Sequence, residues 1–481
     1  MFGRHREHCD FLAFSLCLIF LFRVFVAEPF EIPTGSMGPT LLGRHKELPC
    51  PHCGYNVVVS SSDEIDHHTG EARARIVSAQ CPNCGAELDV SRTGSHAGDR
   101  IVVLKNPPGE YRRFDVVVFK HVDSPRVYYV KRLVGLPGET VRVSRGEVEV
   151  RDPQTGHWQI CRKCPEQILA TAIPVYDDRH APKGEPPRWV SNPQGSWERK
   201  GNAHVLSIPE GSGSLVYRHV PHPGSPPRLI TDDLGFNSAL TQSEWASRQL
   251  LRSSPGHPVG DLLLSFHLEL TDKSERFAAE LHASIDTARW EWSKDNNAFQ
   301  MTWNGKVVYT ASLPFLPVKH EFVLGNVDKQ LLLWMDGELL ARVSVESQAG
   351  IHKGPSENDL HPATIEAAGL GTTISDLVLL RDIYYTRQSQ ASDFFRPAAD
   401  VSEMDRFLAE PSRWKRLRDI RPQSEPWTLG PGEYVALGDN SQQSNDSRHW
   451  RYGPKVKDGM ILGRAEFLLW PFRGYRFGRI H

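Results

Sequence analysis

Two cysteine knuckles, Cys50-Pro51-His52-Cys53-Gly54 and Cys81-Pro82-Asn83-Cys84-Gly85, stand 27 residues apart in a chain of 481. Each knuckle turns tightly enough to aim two thiolates the same way, and two together complete a closed tetrahedral site. The pattern predicts a small zinc-ribbon-like unit over residues 49–93, with Cys50, Cys53, Cys81 and Cys84 as ligands of a structural zinc. Two disulfides are the alternative, because the segment should face an oxidising compartment. Glycine directly after each second cysteine favours the metal turn. A closed site has no open position for substrate, so no cofactor is expected for catalysis. Cys161 and Cys164 form a third close pair with no fourth partner, read as free thiols or a local disulfide.

Most of the remaining chain reads as strands. Ile101-Val102-Val103-Leu104, Val116-Val117-Val118-Phe119 and Val127-Tyr128-Tyr129-Val130 are β-branched and aromatic runs bounded by turn residues, as a barrel-like β domain requires. Residues 153–255, rich in Pro, Gly, Ser and Trp, give no regular pattern and are read as an irregular insert or linker. From 256 to 387 the pattern is that of a β-sandwich. Leu262, Leu264, Phe266, Leu268 and Leu270 alternate with polar residues, and Asp336-Gly337 between two apolar runs is a hairpin turn that wants positive φ at both positions.

The residues from Phe11 to Ala27 are apolar apart from Ser15 and Arg23. Seventeen residues make a helix about 26 Å long, slightly short of a ~30 Å hydrocarbon core. Running on toward Phe30 closes the gap. The segment is read either as a cleavable signal peptide or as a retained anchor; the anchor, over 11–29, is the reading adopted here. A formal net charge of -2 leaves no basic excess for nucleic acid, which is excluded as a partner.

Three blocks carry chemistry. Ser36 lies in Ile32-Pro33-Thr34-Gly35-Ser36-Met37-Gly38-Pro39, just beyond the apolar segment. Lys131 lies in Tyr129-Val130-Lys131-Arg132-Leu133-Val134-Gly135-Leu136-Pro137-Gly138, and a polar loop runs from Gly438 to Arg448. Amide hydrolysis needs an activated nucleophile, a base titrating near neutrality and donors for the oxyanion. Lysine can be that base only if its value drops by about two to three units from ~10.4, which burial away from carboxylates would achieve.

In this order the three blocks resemble the bacterial type I signal peptidases, membrane-bound proteases with a Ser/Lys dyad. The resemblance implies Ser36 as nucleophile and Lys131 as general base. It implies an oxyanion hole from the Ser36 N–H and the Thr34 hydroxyl, Ser444 orienting the lysine, Asp446 and Arg448 as a supporting ion pair, and Asp439 as partner of Arg132. It further implies that Phe30, Ile32, Pro33, Met37, Leu41, Tyr129 and Val130 line shallow pockets for an extended signal peptide with small residues before the cut. Phe114 and Glu139 depart from the family pattern, which has glycine and aspartate there.

The resemblance therefore leads to the following expectation. The fold is mainly β: a signal-peptidase-type catalytic domain behind one N-terminal transmembrane helix, with an inserted β-sandwich and a zinc-ribbon-like insert. The expected order is a cytoplasmic N-terminus (1–10), anchor (11–29), catalytic segments (30–48, 94–152 and 428–481), the cysteine insert (49–93), the irregular insert (153–255), the sandwich (256–387) and a linker (388–427). The implied protein sits in the bacterial cell membrane as a single-pass serine endopeptidase with its catalytic domain outside, and its partners are preprotein signal peptides and membrane lipid. The passage from His320 to Val345 resembles laminin-G or concanavalin-type jelly rolls, which adds a glycan or protein partner. An anchored carbohydrate- or protein-binding jelly-roll protein is the rival reading.

Overall fold

The computed structural model describes residues 2–67, 69–105, 110–121, 124–208, 211–246, 256–312, 318–346, 354–386, 401–414, 424–450, 453–470 and 478–481. The strand that carries Lys131 belongs to one antiparallel sheet assembled from distant parts of the chain. Its strands lie in the order Ala27–Glu31, Arg100–Leu104, Ile461–Trp470, Val116–His121, Ser124–Gly135, Glu433–Leu437 and Val456–Lys457, with Gly478–Arg479 also paired to Ile461–Trp470. β-branched residues alternate across the pleat, so Ile101, Val103, Val116 and Val118 bury one face together with Ile32, Met37 and Leu41.

Between the first two strands the chain makes the cysteine unit. His45–Pro49 pairs with Asn56–Ser60, and Ile76–Gln80 pairs with Glu87–Asp89. Each hairpin carries one knuckle at its turn, closed by the same backbone bonds: Gly54 N–H to Cys50 O and Gly85 N–H to Cys81 O, both 2.8 Å. Both glycines have φ of 75°, a left-handed conformation that a β-carbon would strain.

The large insert is a two-sheet sandwich. One sheet runs Trp197–Lys200, Ala203–Leu206, Thr373–Arg381, Leu262–Glu269, His320–Val327, Gln330–Met335, Glu338–Ser344, with Ile173–Asp177 added to Thr373–Arg381. The other runs Trp189–Asn192, Ser212–Tyr217, Ala363–Ala368, Arg276–Ala283, Asp286–Ser293, Ala298–Trp303, Lys306–Ser312. The inward residues Leu262, Leu264, Phe266, Leu268, Trp290 and Met301 form the core between them. The expected hairpin is formed, with Asp336 at φ 51° and Gly337 at 83°.

Two expectations are corrected here. Residues 153–255 are not simply irregular, because 173–217 contributes five strands to the sandwich. Ile173–Asp177, for example, pairs with the closing strand from Arg381 to Val378. Nor is 11–29 one helix. The N-terminal helix, Phe2–Phe25, stops there, and Ala27–Glu31 is already the edge strand of the sheet that carries Lys131. The helical part of the apolar stretch is thus about 22 Å long, less than the ~30 Å hydrocarbon core. Among the described residues no helix is long and apolar enough to cross a membrane. Its apolar side chains, from Phe11 to Phe25, are nonetheless largely exposed.

The sandwich and the sheet that carries Lys131 share a boundary. Ile173, Ile383 and Tyr385 from the insert pack with Phe114, Val134, Val141, Leu429 and Val435. Beside them the buried Lys163 ammonium bridges Asp328 at 2.8 Å and Asp382 at 2.7 Å.

Candidate active site

Ser36 sits in the single turn Gly35–Met37, which follows the edge strand. Lys131 sits opposite Val117 in the strand Ser124–Gly135. Its Nζ lies 2.5 Å from Ser36 Oγ and 3.0 Å from the Val130 carbonyl oxygen. The lysine is 3% exposed and makes no ion pair among the described residues. Burial pushes its ammonium down to about 8, against Asp446 and Asp439, whose charges pull it up. A base and a nucleophile in contact, with the base titrating near neutrality, can exchange a proton and open an acyl carbon to attack.

The third block is folded against this pair. Glycine is required at 438: a β-carbon there would stand 2.2 Å from Ser444 Oγ and 2.4 Å from the Ser36 carbonyl oxygen. Asn440 N–H donates to that carbonyl at 3.2 Å, and its side-chain amide donates to Gly35 O at 2.9 Å. Arg132 grips Asp439 through Nε and Nη2 and donates from Nη1 to Phe114 O and His481 O. Arg448 grips Asp446 at 2.8 and 2.6 Å. Burial alone would raise the Asp446 carboxyl, but the Arg448 charge and its hydrogen bonds hold it below the usual carboxylate range.

Ser444 lies close to Asp446. Its Oγ is buried beside Asp446 without a hydrogen-bond partner of good geometry, and the lysine amine bonds Ser36 and Val130 instead. Thr34 is half-buried with extended backbone, and its hydroxyl does not cap the Gly35–Met37 turn. Of the expected pocket residues, Ile32, Met37 and Leu41 are almost wholly buried in the core. Phe30, Tyr129 and Val130 are part-exposed and Pro33 exposed, and the Phe30 ring meets Tyr128 edge-on at 5.1 Å.

Sequence reasoning missed several neighbours. Tyr385 and Thr386, at the exit of the sandwich, reach Asp439 and Arg448: the tyrosine hydroxyl donates to Asp439 at 3.4 Å, and Arg448 donates to Thr386 O at 2.9 Å. Asn440, inside the polar loop from Gly438 to Arg448, was given no role. Nothing in the local pattern marks Tyr385 or Thr386; only the return of that distant segment does.

At the cysteine unit the four sulfurs lie within 4.8 Å of one another, with Cys50–Cys84 and Cys53–Cys81 at 3.7 Å. A tetrahedron with Zn–S bonds of ~2.3 Å has edges of about 3.8 Å. All four are free thiols in the structure, as are Cys161 and Cys164.

The family described as "Signal peptidase, peptidase S26" matches residues 88–180 and 387–470. The chain is 30% identical over 130 residues to Signal peptidase I of Pseudomonas aeruginosa, covering 27% of this chain and 32% of that protein. It is 28% identical over 142 residues to Signal peptidase I of Rickettsia akari, covering 29% and 41%. The matched part is thus less than half the length of either relative. Among solved structures, the carbohydrate-binding module CBM66 from Bacillus subtilis aligns with 40% of this chain and 92% of its own at 8% identity, with a TM-score of 0.22, too low to define the sandwich's role. The sequence matches support a serine peptidase as the class of protein. Within that class they support a type I signal peptidase.

Proposed function

We propose that the protein removes signal peptides from exported preproteins, using Ser36 and Lys131 as a catalytic dyad. The observation that carries this is the 2.5 Å contact between the serine hydroxyl and a buried lysine amine with no ion-pair partner among the described residues. Neutral Lys131 takes the Ser36 proton as Oγ bonds to the scissile carbonyl carbon. The Ser36 N–H and the Thr34 hydroxyl receive the oxyanion. The resulting ammonium returns the proton to the leaving amine, which departs and leaves an ester on Ser36. The same amine then activates a water, whose attack releases the acid and regenerates the serine. An extended substrate would add to the edge of Ala27–Glu31 that is unpaired among the described residues, since its pairing with Arg100–Leu104 uses the other side.

In this reading the exposed apolar helix associates with the bacterial membrane and keeps the site near the bilayer surface on the extracytoplasmic side. The four cysteines hold a structural zinc, for which their sulfur spacing and the knuckle glycines are suited. Incubation of detergent-solubilised protein with a preprotein, followed by N-terminal sequencing of the product, tests the activity. Cleavage after small residues, abolished in Ser36→Ala and Lys131→Met, is expected. Turnover retained by either purified variant rules the dyad out.

A further inference from the structure

The segment from Leu234 to Thr241 lies outside both family-matched stretches, yet it runs between the second cysteine knuckle and the turn that carries Ser36. On the knuckle side, Gly235 fits against Pro82, where a β-carbon would come within 2.5 Å of the proline ring. Ser238 Oγ accepts the Gln80 N–H at 3.0 Å, and Leu240–Thr241 pairs with Ile76–Gln80. On the serine side, the Phe236 ring covers the backbone on either side of the nucleophile. Its Cε1 is 2.7 Å from where a β-carbon on Gly35 would stand and 2.5 Å from that of Gly38.

Asn237 completes the contact. Its side-chain amide donates to Asn440 Oδ1 at 2.8 Å and accepts from Asn440 Nδ2 at 2.7 Å. Asn440 in turn bonds Gly35 O through its side chain and Ser36 O through its backbone. Both carbonyls that flank the Ser36 side chain are thus held by one residue, whose own amide is fixed by a residue of the insert.

We propose that Phe236 and Asn237 are positioning residues for Ser36, and that the strut formed by 234–241 ties the nucleophile turn to the cysteine unit. The catalytic half of this proposal rests on the peptidase reading; the mechanical half does not. A nucleophile displaced by about an ångström loses roughly a hundredfold in rate. For Phe236→Ala and Asn237→Ala, kcat on a preprotein should fall by roughly that factor while KM stays within about twofold. The acidic limb of the pH profile should move little, because the groups that set the Lys131 value, its burial and the charges of Asp446, Asp439 and Arg448, are not the ones replaced. Phe236→Leu, which keeps an apolar cover, should recover most of the rate.

Hydrogen exchange on the full chain gives the second readout. In both alanine variants the amides of Gly38 and Leu41, bonded to Gly35 O and Met37 O, should exchange faster, while the strand Ser124–Gly135 keeps its protection. Unchanged kcat with unchanged exchange in 35–41 overturns the proposal, as does an equal loss of protection throughout the sheet. If the unaltered protein cleaves no preprotein, the peptidase reading falls, and exchange in 35–41 still decides whether the strut holds the turn.

Discussion

Arg132 and Asp439, 307 residues apart in the chain, form a two-point ion pair at 2.8 and 2.7 Å with neither side chain more than 1% exposed. Arg132 follows Lys131, and Asp439 precedes Asn440, which holds the carbonyls of Gly35 and Ser36. Removing one partner would leave an uncompensated buried guanidinium. Asp439→Asn should therefore destabilise the fold by about 3–5 kcal/mol, read from denaturant unfolding. Asp439 also pulls the Lys131 value up. Its neutralisation should shift the acidic limb of activity to lower pH; a limb displaced upward contradicts the charge arrangement.

The lysine gives a second prediction, because a buried amine opposes its own protonation. Its folded value of about 8 lies below the ordinary lysine value of 10.5. Between those pH values the unfolded chain holds a proton that the folded chain lacks, so stability should rise as pH increases from about 8 to 10.5. Below pH 8 the full penalty, roughly 3 kcal/mol, weighs on the fold. Lys131→Met should abolish cleavage yet unfold at higher denaturant concentration near pH 7. Activity of the unaltered protein should climb through about pH 8. A midpoint near 10 would mean that the amine is solvated.

The cysteine unit supplies a third. Metal analysis of the purified chain should give one zinc, and a strong chelator should remove it. Loss of the ion leaves four thiols crowded on two short hairpins, so amide protection in 45–60 and 76–89 should fall before that of the sandwich. Cys84→Ser should behave like the chelated protein. A chain without metal whose cysteines resist alkylation until reduced would instead carry disulfides.

How far the sequence announced this architecture depends on the range of the interaction involved. Asp336-Gly337 announced its hairpin because a type I′ turn is chosen by two adjacent residues. The knuckle glycines were legible for the same reason. The strands of 173–217 were not: they are four to six residues long and find partners such as Thr373–Arg381 far along the chain. The strand Ala27–Glu31 was hidden by the apolar run before it, since a continuous run of such residues suits a helix and a buried strand equally. The reacting pair was suggested by motif, while Asn237, a turn asparagine by sequence, became visible only through its reciprocal amide contact with Asn440.

Phe114 offers the sharpest test of backbone against side chain. It stands where the signal peptidase pattern has glycine, and its φ is 70°, a left-handed conformation that costs a residue with a β-carbon roughly 1–2 kcal/mol. Local bonds over-determine it. Its N–H reaches Leu133 O at 2.7 Å, its carbonyl receives Arg132 Nη1 at 2.8 Å, and its ring packs in the core shared with the insert, 5.5 Å from the Lys163 ammonium. Phe114→Ala discards the ring and keeps the strain, so the whole of a buried phenylalanine truncation, about 3–5 kcal/mol, should be lost. Phe114→Gly discards the ring and relieves the strain, and should lose about 1–2 kcal/mol less than alanine. The expected order of stability is therefore phenylalanine, then glycine, then alanine. In ordinary strand backbone alanine outranks glycine, so denaturant unfolding of the three proteins separates the cases. Alanine at or above glycine would show that residue 114 leaves the left-handed region once the ring is gone, and that the ring rather than the turn dictates the backbone there.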